Sequence, residues 1–166
     1  MQTLQSNDHG AATANGEVRQ FISFTIGDEE YGVDIMAIRE IKGWTATTAL
    51  PNTPPYMRGV INLRGAIIPI FDLRARFDEG LTEASARHVI IVVAVRHKVL
   101  GILVDAVADI ITVSNTDIQP VPEIEQRADS ALLAGLVTVD GRMVALLDLD
   151  RLFDGDTHLD LTGHAA

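Results

Sequence analysis

The 166-residue chain carries 13 Lys and Arg against 23 Asp and Glu, a formal charge of −10, and contains no cysteine. That balance argues against a nucleic-acid binder, which neutralises phosphates with clustered cations, and against direct attraction to anionic lipid. The missing cysteines exclude a disulfide scaffold, thiol chemistry and any cysteine-ligated metal.

No apolar run approaches the ~18 to 20 residues that cross a bilayer as a helix; the longest, Val89–Val95, stops at Arg96, His97 and Lys98. Residues 1–18 are small and polar, lack the basic start and apolar middle of a signal peptide, and read as a flexible tail. From 21 to 26, Ile22, Phe24 and Ile26 alternate with Ser23 and Thr25, the period of a strand buried on one face with the two polar residues outward. Gly27 to Glu30 then reads as a turn and 31–35 as the return strand, with the strand reading preferred over a helix onward to Ile41.

A polar, proline-bearing connection follows over 45–55. Pro54 and Pro55 suit the start of a single helical turn through Met57. A second hairpin reads from Val60 to Phe71, turning at Arg64-Gly65, where glycine supplies the positive φ that a tight hairpin needs. Pro69 cannot donate a ladder hydrogen bond and therefore predicts an edge or a bulge.

The second half repeats the first. GVINLRGAIIPIFDLRARF (59–77) lies over GLVTVDGRMVALLDLDRLF (135–153), matching Gly59 with Gly135, Gly65 with Gly141, Asp72 with Asp148 and Phe77 with Phe153. Upstream, the stretch from Phe24 through Gly32 to Glu40-Ile41 lies over that from Val93 through Gly101 to Asp109-Ile110. Short strands, glycine turns and no long helical period predict an all-β fold of two five-stranded barrels related by a pseudo-twofold. Residues 78–87 are expected to cross between the barrels, and each Asp-Leu-x-x-x-Phe to form a helical turn plugging one barrel end. The strand Val89–Val95 is apolar on both faces, so its second face is either covered by the sister barrel or left as a groove for a partner.

Catalytic constellations are missing. His9, His88, His97, His158 and His164 are scattered without ligand spacing, and no nucleophile elbow, phosphate loop or dinucleotide fingerprint is present. Asp28, Glu29 and Glu30 read as a solvated hairpin tip. Asp72 and Asp148, recurring in both copies, fit a capping duty better than catalysis. Glu40, flanked by isoleucines, and Arg64, at a hairpin tip, stand apart because the second copy keeps an acid (Asp109) for the first but replaces the arginine with Asp140.

The blocks FTIGDEEYGVDIMAIREI (24–41), NTPPYMRGVINLRGAIIPIFDLRARF (52–77) and VLGILVDAVADII (99–111) resemble the CheW family of bacterial chemotaxis coupling proteins over residues 21–153. The resemblance implies a CheW-like domain over 19–153, built of SH3-like barrels near 19–77 and 88–153 with exchange of a strand between them left open, and a C-terminal tail over 154–166. It implies no enzymatic activity and no cofactor. It implies a cytoplasmic adaptor, recruited to receptor arrays at the membrane's inner face, that joins the tip of methyl-accepting chemoreceptors to the regulatory domain of the histidine kinase CheA. Assembly into rings with the kinase or with itself stays open. The family's receptor groove falls on Ile38, Glu40, Gly59, Arg64, Val89 and Ile110; the kinase-binding residues are not assigned. A regulatory domain of a CheA-type kinase shares the fold, but Met1 and a polar tail precede the barrels here and no ATP-binding motif does. A generic SH3-like module would want an aromatic-lined groove, for which Trp44 and two tyrosines are few.

Overall fold

The computed structural model describes residues 17–77, 79–122 and 132–153; most of the expected tails, 1–16 and 154–166, lie outside them. Among the described residues ten strands form two five-stranded sheets: β1 (Val18–Ile26), β2 (Glu29–Asp34), β3 (Ile38–Gly43), β4 (Met57–Leu63), β5 (Ala66–Asp72), β6 (Val89–Val95), β7 (Lys98–Val104), β8 (Ala106–Ser114), β9 (Leu133–Val139) and β10 (Arg142–Leu147). The first strand starts at Val18, inside the stretch expected to be tail.

The sheets do not follow the repeats. One runs β8-β1-β2-β10-β9 and the other β3-β6-β7-β5-β4. Each therefore joins the first hairpin of one repeat to the three remaining strands of the other, so a whole hairpin is exchanged. The exchanged strand meets its host in parallel, Gly32 opposite Leu146 and Gly101 opposite Ile70. These two glycines occupy equivalent places, and the reason is steric. A Cβ on Gly101 would stand 2.6 Å from Ile70 Cδ1, and one on Gly32 would stand 3.0 Å from Leu146 Cδ2.

The exchange also moves the crossings. The stretch 78–87, expected to pass between barrels, lies instead in the connection from β5 to β6 within one sheet. The chain crosses from sheet to sheet at Ile35–Ala37, a single 3-10 turn where a continuous strand was expected, and again at Asp105 between β7 and β8. Asp34 caps the 3-10 turn by accepting the Met36 N–H at 2.9 Å.

Each sheet curls until its outer strands meet. Thr48, beyond β3, exchanges both backbone hydrogen bonds with Val60 on β4, and Gln119, beyond β8, does the same with Leu136 on β9. That bridge explains Pro69, which sits on a strand flanked by two others and not on an edge. Val60 turns its N–H and C=O toward Thr48, so opposite Pro69 no ladder bond is asked for. On the other side the parallel ladder to β7 begins only at Ile70.

Three apolar clusters result. Phe21, Ile111, Val113, Val137, Val144 and Leu146 fill one sheet, and Ile61, Ile68, Ile70, Ile90, Val92 and Leu103 fill the other. The third and largest lies between the sheets. Strand β6 sends Ile90 and Val92 into its own sheet's cluster and Ile91, Val93 and Val95 into the shared one, so its second apolar face is covered by the sister sheet. Burying such side chains stabilises by about 1.5 to 3 kcal/mol each, which makes this shared layer the main bond between the two halves.

Ser23 was expected to face outward and is instead fully buried, its Oγ donating to the Asp109 carbonyl at 3.3 Å. The helical turns Leu73–Arg76 and Leu149–Leu152 follow Asp72 and Asp148, whose side chains accept the Ala75 and Arg151 N–H groups as N-caps. Their apolar residues Leu73, Phe77, Leu152 and Phe153 enter the shared layer; a barrel end was the expectation. Asp72 does more than cap. Fully buried, it also accepts from the Thr82 N–H and hydroxyl, each at 2.8 Å, and from Arg58 at 3.1 Å, which pins the inter-repeat connection. Pro54 to Met57 forms a hydrogen-bonded turn, Met57 N–H to Pro54 C=O at 3.0 Å, in place of a helical turn.

Candidate functional site

Strand β3 is an outer strand, and a bulge at Arg39 sets what it presents. Ile38 pairs with Val93 and Glu40 with Val92, so the two side chains leave opposite faces although they are two residues apart. Ile38 packs at the margin of the shared layer. Glu40 turns the other way, with 28% of its side chain exposed. Ile41 returns to the face of Ile91 and is 42% exposed.

Arg64 comes from the opposite edge of the same sheet. It and Gly65 turn β4 into β5 with φ of 52° and 91°, the signature of a type I′ hairpin, and the Asn62 side chain accepts the Gly65 N–H at 2.9 Å. The twin turn uses Asp140 and Gly141, also at positive φ. Asp tolerates that backbone region, whereas Arg has no short polar group to support it. The turn alone therefore gives no reason for arginine, but its side chain does. Arg64 Nη2 donates to Glu40 Oε1, closing an ion pair across the two edges of the curled sheet.

The pair adds little to stability. Arg64 is 71% exposed, and exposed ion pairs contribute about 0 to 1 kcal/mol. Its effect is organisational, since it holds a cation and an anion in fixed register on the face of β3 opposite Ile38 and Ile41.

The other expected residues lie as follows. Val89, at the start of β6, is half-buried at the margin of the shared layer and pairs with Gly43 and Val104. Gly59 is buried at φ 140°, and a Cβ there would stand 2.3 Å from the Thr48 carbonyl oxygen, so its duty is to let the bridge between Thr48 and Val60 form. Ile110, on β8 in the other sheet, is 51% exposed and pairs with Ile22 of β1. The fold thus brings Glu40 and Arg64 into contact, packs Ile38 and Val89 against the shared layer at opposite ends of the β3–β6 ladder, buries Gly59, and carries Ile110 on the neighbouring sheet. Ile41, the repeat equivalent of Ile110, was not singled out from the sequence, although the overlay of Glu40-Ile41 on Asp109-Ile110 held that signal.

Glu30 does not sit in a solvated acidic tip. It accepts from Arg142 at 2.9 and 3.3 Å. That hydrogen bond is the main cause holding its carboxyl below the usual 4.5, against the opposing effect of partial burial. Among the described residues no three His, Cys, Asp or Glu gather to hold a metal, and no helix is long and apolar enough to cross a membrane.

A family model described as "CheW-like domain" matches residues 20–157. The chain is 53% identical over 135 residues to the "Probable chemotaxis protein CheW" of Rhizobium etli, covering 81% of this chain and 87% of that one. It is 49% identical over 138 residues to the "Chemotaxis protein CheW" of Rhizobium meliloti, covering 83% and 89%. The crystal structure of the scaffolding protein TtCheW from Thermoanaerobacter tengcongensis superposes with a TM-score of 0.77 at 30% identity, over 92% of this chain and 94% of that one. With the duplicated strands, the two closed sheets and these matches in agreement, the chain belongs to the CheW-like family.

Proposed function

We propose that this protein is a non-enzymatic chemotaxis adaptor, joining the cytoplasmic tip of methyl-accepting chemoreceptors to the regulatory domain of a CheA-type histidine kinase. It works in the cytoplasm, in arrays at the inner face of the membrane, and assembles there with kinase domains or with further copies of itself. Family membership supports the scaffolding role. The observation that carries the receptor half is the Glu40–Arg64 pair, which bridges the two outer strands of one sheet, leaves the arginine largely exposed, and is explained neither by turn geometry nor by stability.

The binding mode that fits is a helix laid on apolar anchors with charges fixing its register. Ile38, Val89, Ile110 and the exposed Ile41 are the anchors; Glu40 and Arg64 set the register, and Gly59 shapes the support beneath. The kinase domain, itself a double barrel by family resemblance, binds at a separate face.

Titration of the full chain against a receptor-tip fragment and, separately, against a kinase regulatory domain tests this reading. Binding to both without mutual competition is the expected result. Binding to neither removes the coupling assignment and leaves a double-barrel interaction domain of other use.

A further inference from the structure

The apolar layer between the sheets is large but non-directional, so by itself it leaves their angle weakly specified. Polar contacts supply direction: Arg76 donates to the Leu152 carbonyl at 3.0 and 3.2 Å, Arg96 pairs with Asp150, and one carboxylate gathers partners from both sheets. At the crossing between β7 and β8, the Asp105 carboxylate accepts the Gly27 N–H at 2.7 Å through Oδ2, and the same oxygen accepts from Arg74 Nη2 at 2.8 Å. Gly27 belongs to the β1–β2 turn of one sheet, whereas Arg74 follows β5 of the other. The second oxygen, Oδ1, is buried without a hydrogen bond, and His88 Nε2 lies 3.4 Å from it. His88 is itself oriented, since its Nδ1 accepts the Ser85 N–H at 3.0 Å, which leaves the neutral ring's proton on Nε2, toward Asp105.

The position of this clasp matters. His88 immediately precedes Val89, and Asp105 immediately precedes β8, the strand that carries Ile110. These are the points at which the two sheets deliver their shares of the proposed receptor groove. The other crossing lacks the buried carboxylate: Met36, equivalent to Asp105 in the repeat, is 81% exposed, Asp34 beside it bonds Met36 N–H and Arg19 within its own sheet, and the places of Gly27 and Arg74 are taken by Arg96 and Asp150, an exposed ion pair at 3.3 Å.

We propose that Asp105 is a positioning residue which, through Arg74, His88 and Gly27, sets how the sheet bearing Ile110 sits against the sheet bearing Ile38, Glu40, Arg64 and Val89, and so the width of the groove. The proposal rests on the receptor reading above. It assigns receptor affinity to a carboxylate outside the expected groove set.

The absence of cysteine allows the test on the full chain. Spin labels at Lys98→Cys in one sheet and Thr138→Cys in the other report the distance between the sheets. Asp105→Ala should broaden or shift that distance distribution and weaken binding of a receptor-tip fragment about tenfold. Met36→Ala should change neither. Arg74→Gln and His88→Gln, each removing one partner, should give smaller changes of the same kind and serve if Asp105→Ala does not fold. A distribution with the centre and width of wild type overturns the positioning role, as does a broadened or shifted one with unchanged receptor affinity. Arg64→Glu in the same assay separates the two ideas. It should lose receptor binding with an unchanged distance; if it binds normally, the groove assignment falls, and with it the functional half of the proposal.

Discussion

Equivalent places in the two sheets carry different ion pairs. In one sheet Glu40, on outer strand β3, reaches Arg64 at the far edge, above the apolar Val92 and beside Ala66. In the other, the equivalent of Glu40 is Asp109, whose Oδ1 is used locally by the Ile110 N–H, and the equivalent of Arg64 is Asp140, an acid that cannot answer it. The cation there moves two residues along, to Arg142, and pairs with Glu30 on adjoining strand β2. One pair thus bridges two edges of a sheet with its arginine largely exposed, whereas the other ties neighbouring strands of a single ladder. Duplication supplied the same scaffold twice, and the placement of one arginine separates a surface suited to a partner from a brace.

Substitutions at twin positions break this comparison in a definite order. Gly59→Ala is the most damaging. Its Cβ meets the Thr48 backbone at 2.3 Å and its φ of 140° is open only to glycine; a loss of about 3 kcal/mol or more in chemical denaturation is expected. Gly135→Ala meets the movable Ile118 side chain first, at 2.6 Å, and should cost less.

Arg64→Glu comes next. Affinity for a receptor-tip fragment should fall at least about thirty-fold, or about 2 kcal/mol, with the circular dichroism spectrum unchanged. Arg142→Glu, at the brace, should leave that affinity intact and lower thermal stability instead.

The brace predicts a pH effect. Because Arg142 holds the Glu30 carboxyl below its ordinary 4.5, the pair's stabilisation is fully present above that value and is lost as pH falls through the lower, folded-state value. Arg142→Gln should therefore flatten part of the fall in melting temperature between about pH 6 and about pH 3. An unaltered profile would show that other carboxylates govern acid sensitivity.

Ser23→Val is the mildest. It installs the residue of its twin, Val92, in a buried site and removes a hydrogen-bond donor that also favours ionised Glu30. Stability should change by less than about 1 kcal/mol, while an NMR titration finds the Glu30 carboxyl moved upward.

Much of this was legible because duplication marks what backbone geometry requires twice. The turns at Gly65 and Gly141 and the caps at Asp72 and Asp148 follow from local chemistry that a short window contains. The sequence leaves exchange of a strand open, but that a whole hairpin is exchanged did not show, because pairing of Gly32 with Leu146 and of Gly101 with Ile70 is a matter between distant segments and leaves the period-2 pattern untouched. Ser23 misled for a related reason. A small hydroxyl satisfied by a carbonyl is as much at home inside as outside, so alternation placed it opposite Phe24 but could not tell that this face is covered as well. Glu40 and Arg64 stood out by their mismatch with the second copy. That they touch depends on the closure of the sheet, and closure rests on the single bridges at Thr48 and Gln119 that no strand pattern reveals.

The strand order also makes the chain a nested object. Strands β3 to β7 are consecutive and complete one sheet, while the sheet around them is assembled from the two ends of the described chain. During synthesis the inner sheet has all its strands once residue 104 has emerged. The opening hairpin must wait for β10 before Gly32 meets its neighbour. Closing that long loop costs entropy before any contact rewards it, so the outer sheet should be the late step of folding. A message truncated before residue 142 would then yield a protein damaged at its first strands, far in sequence from the break.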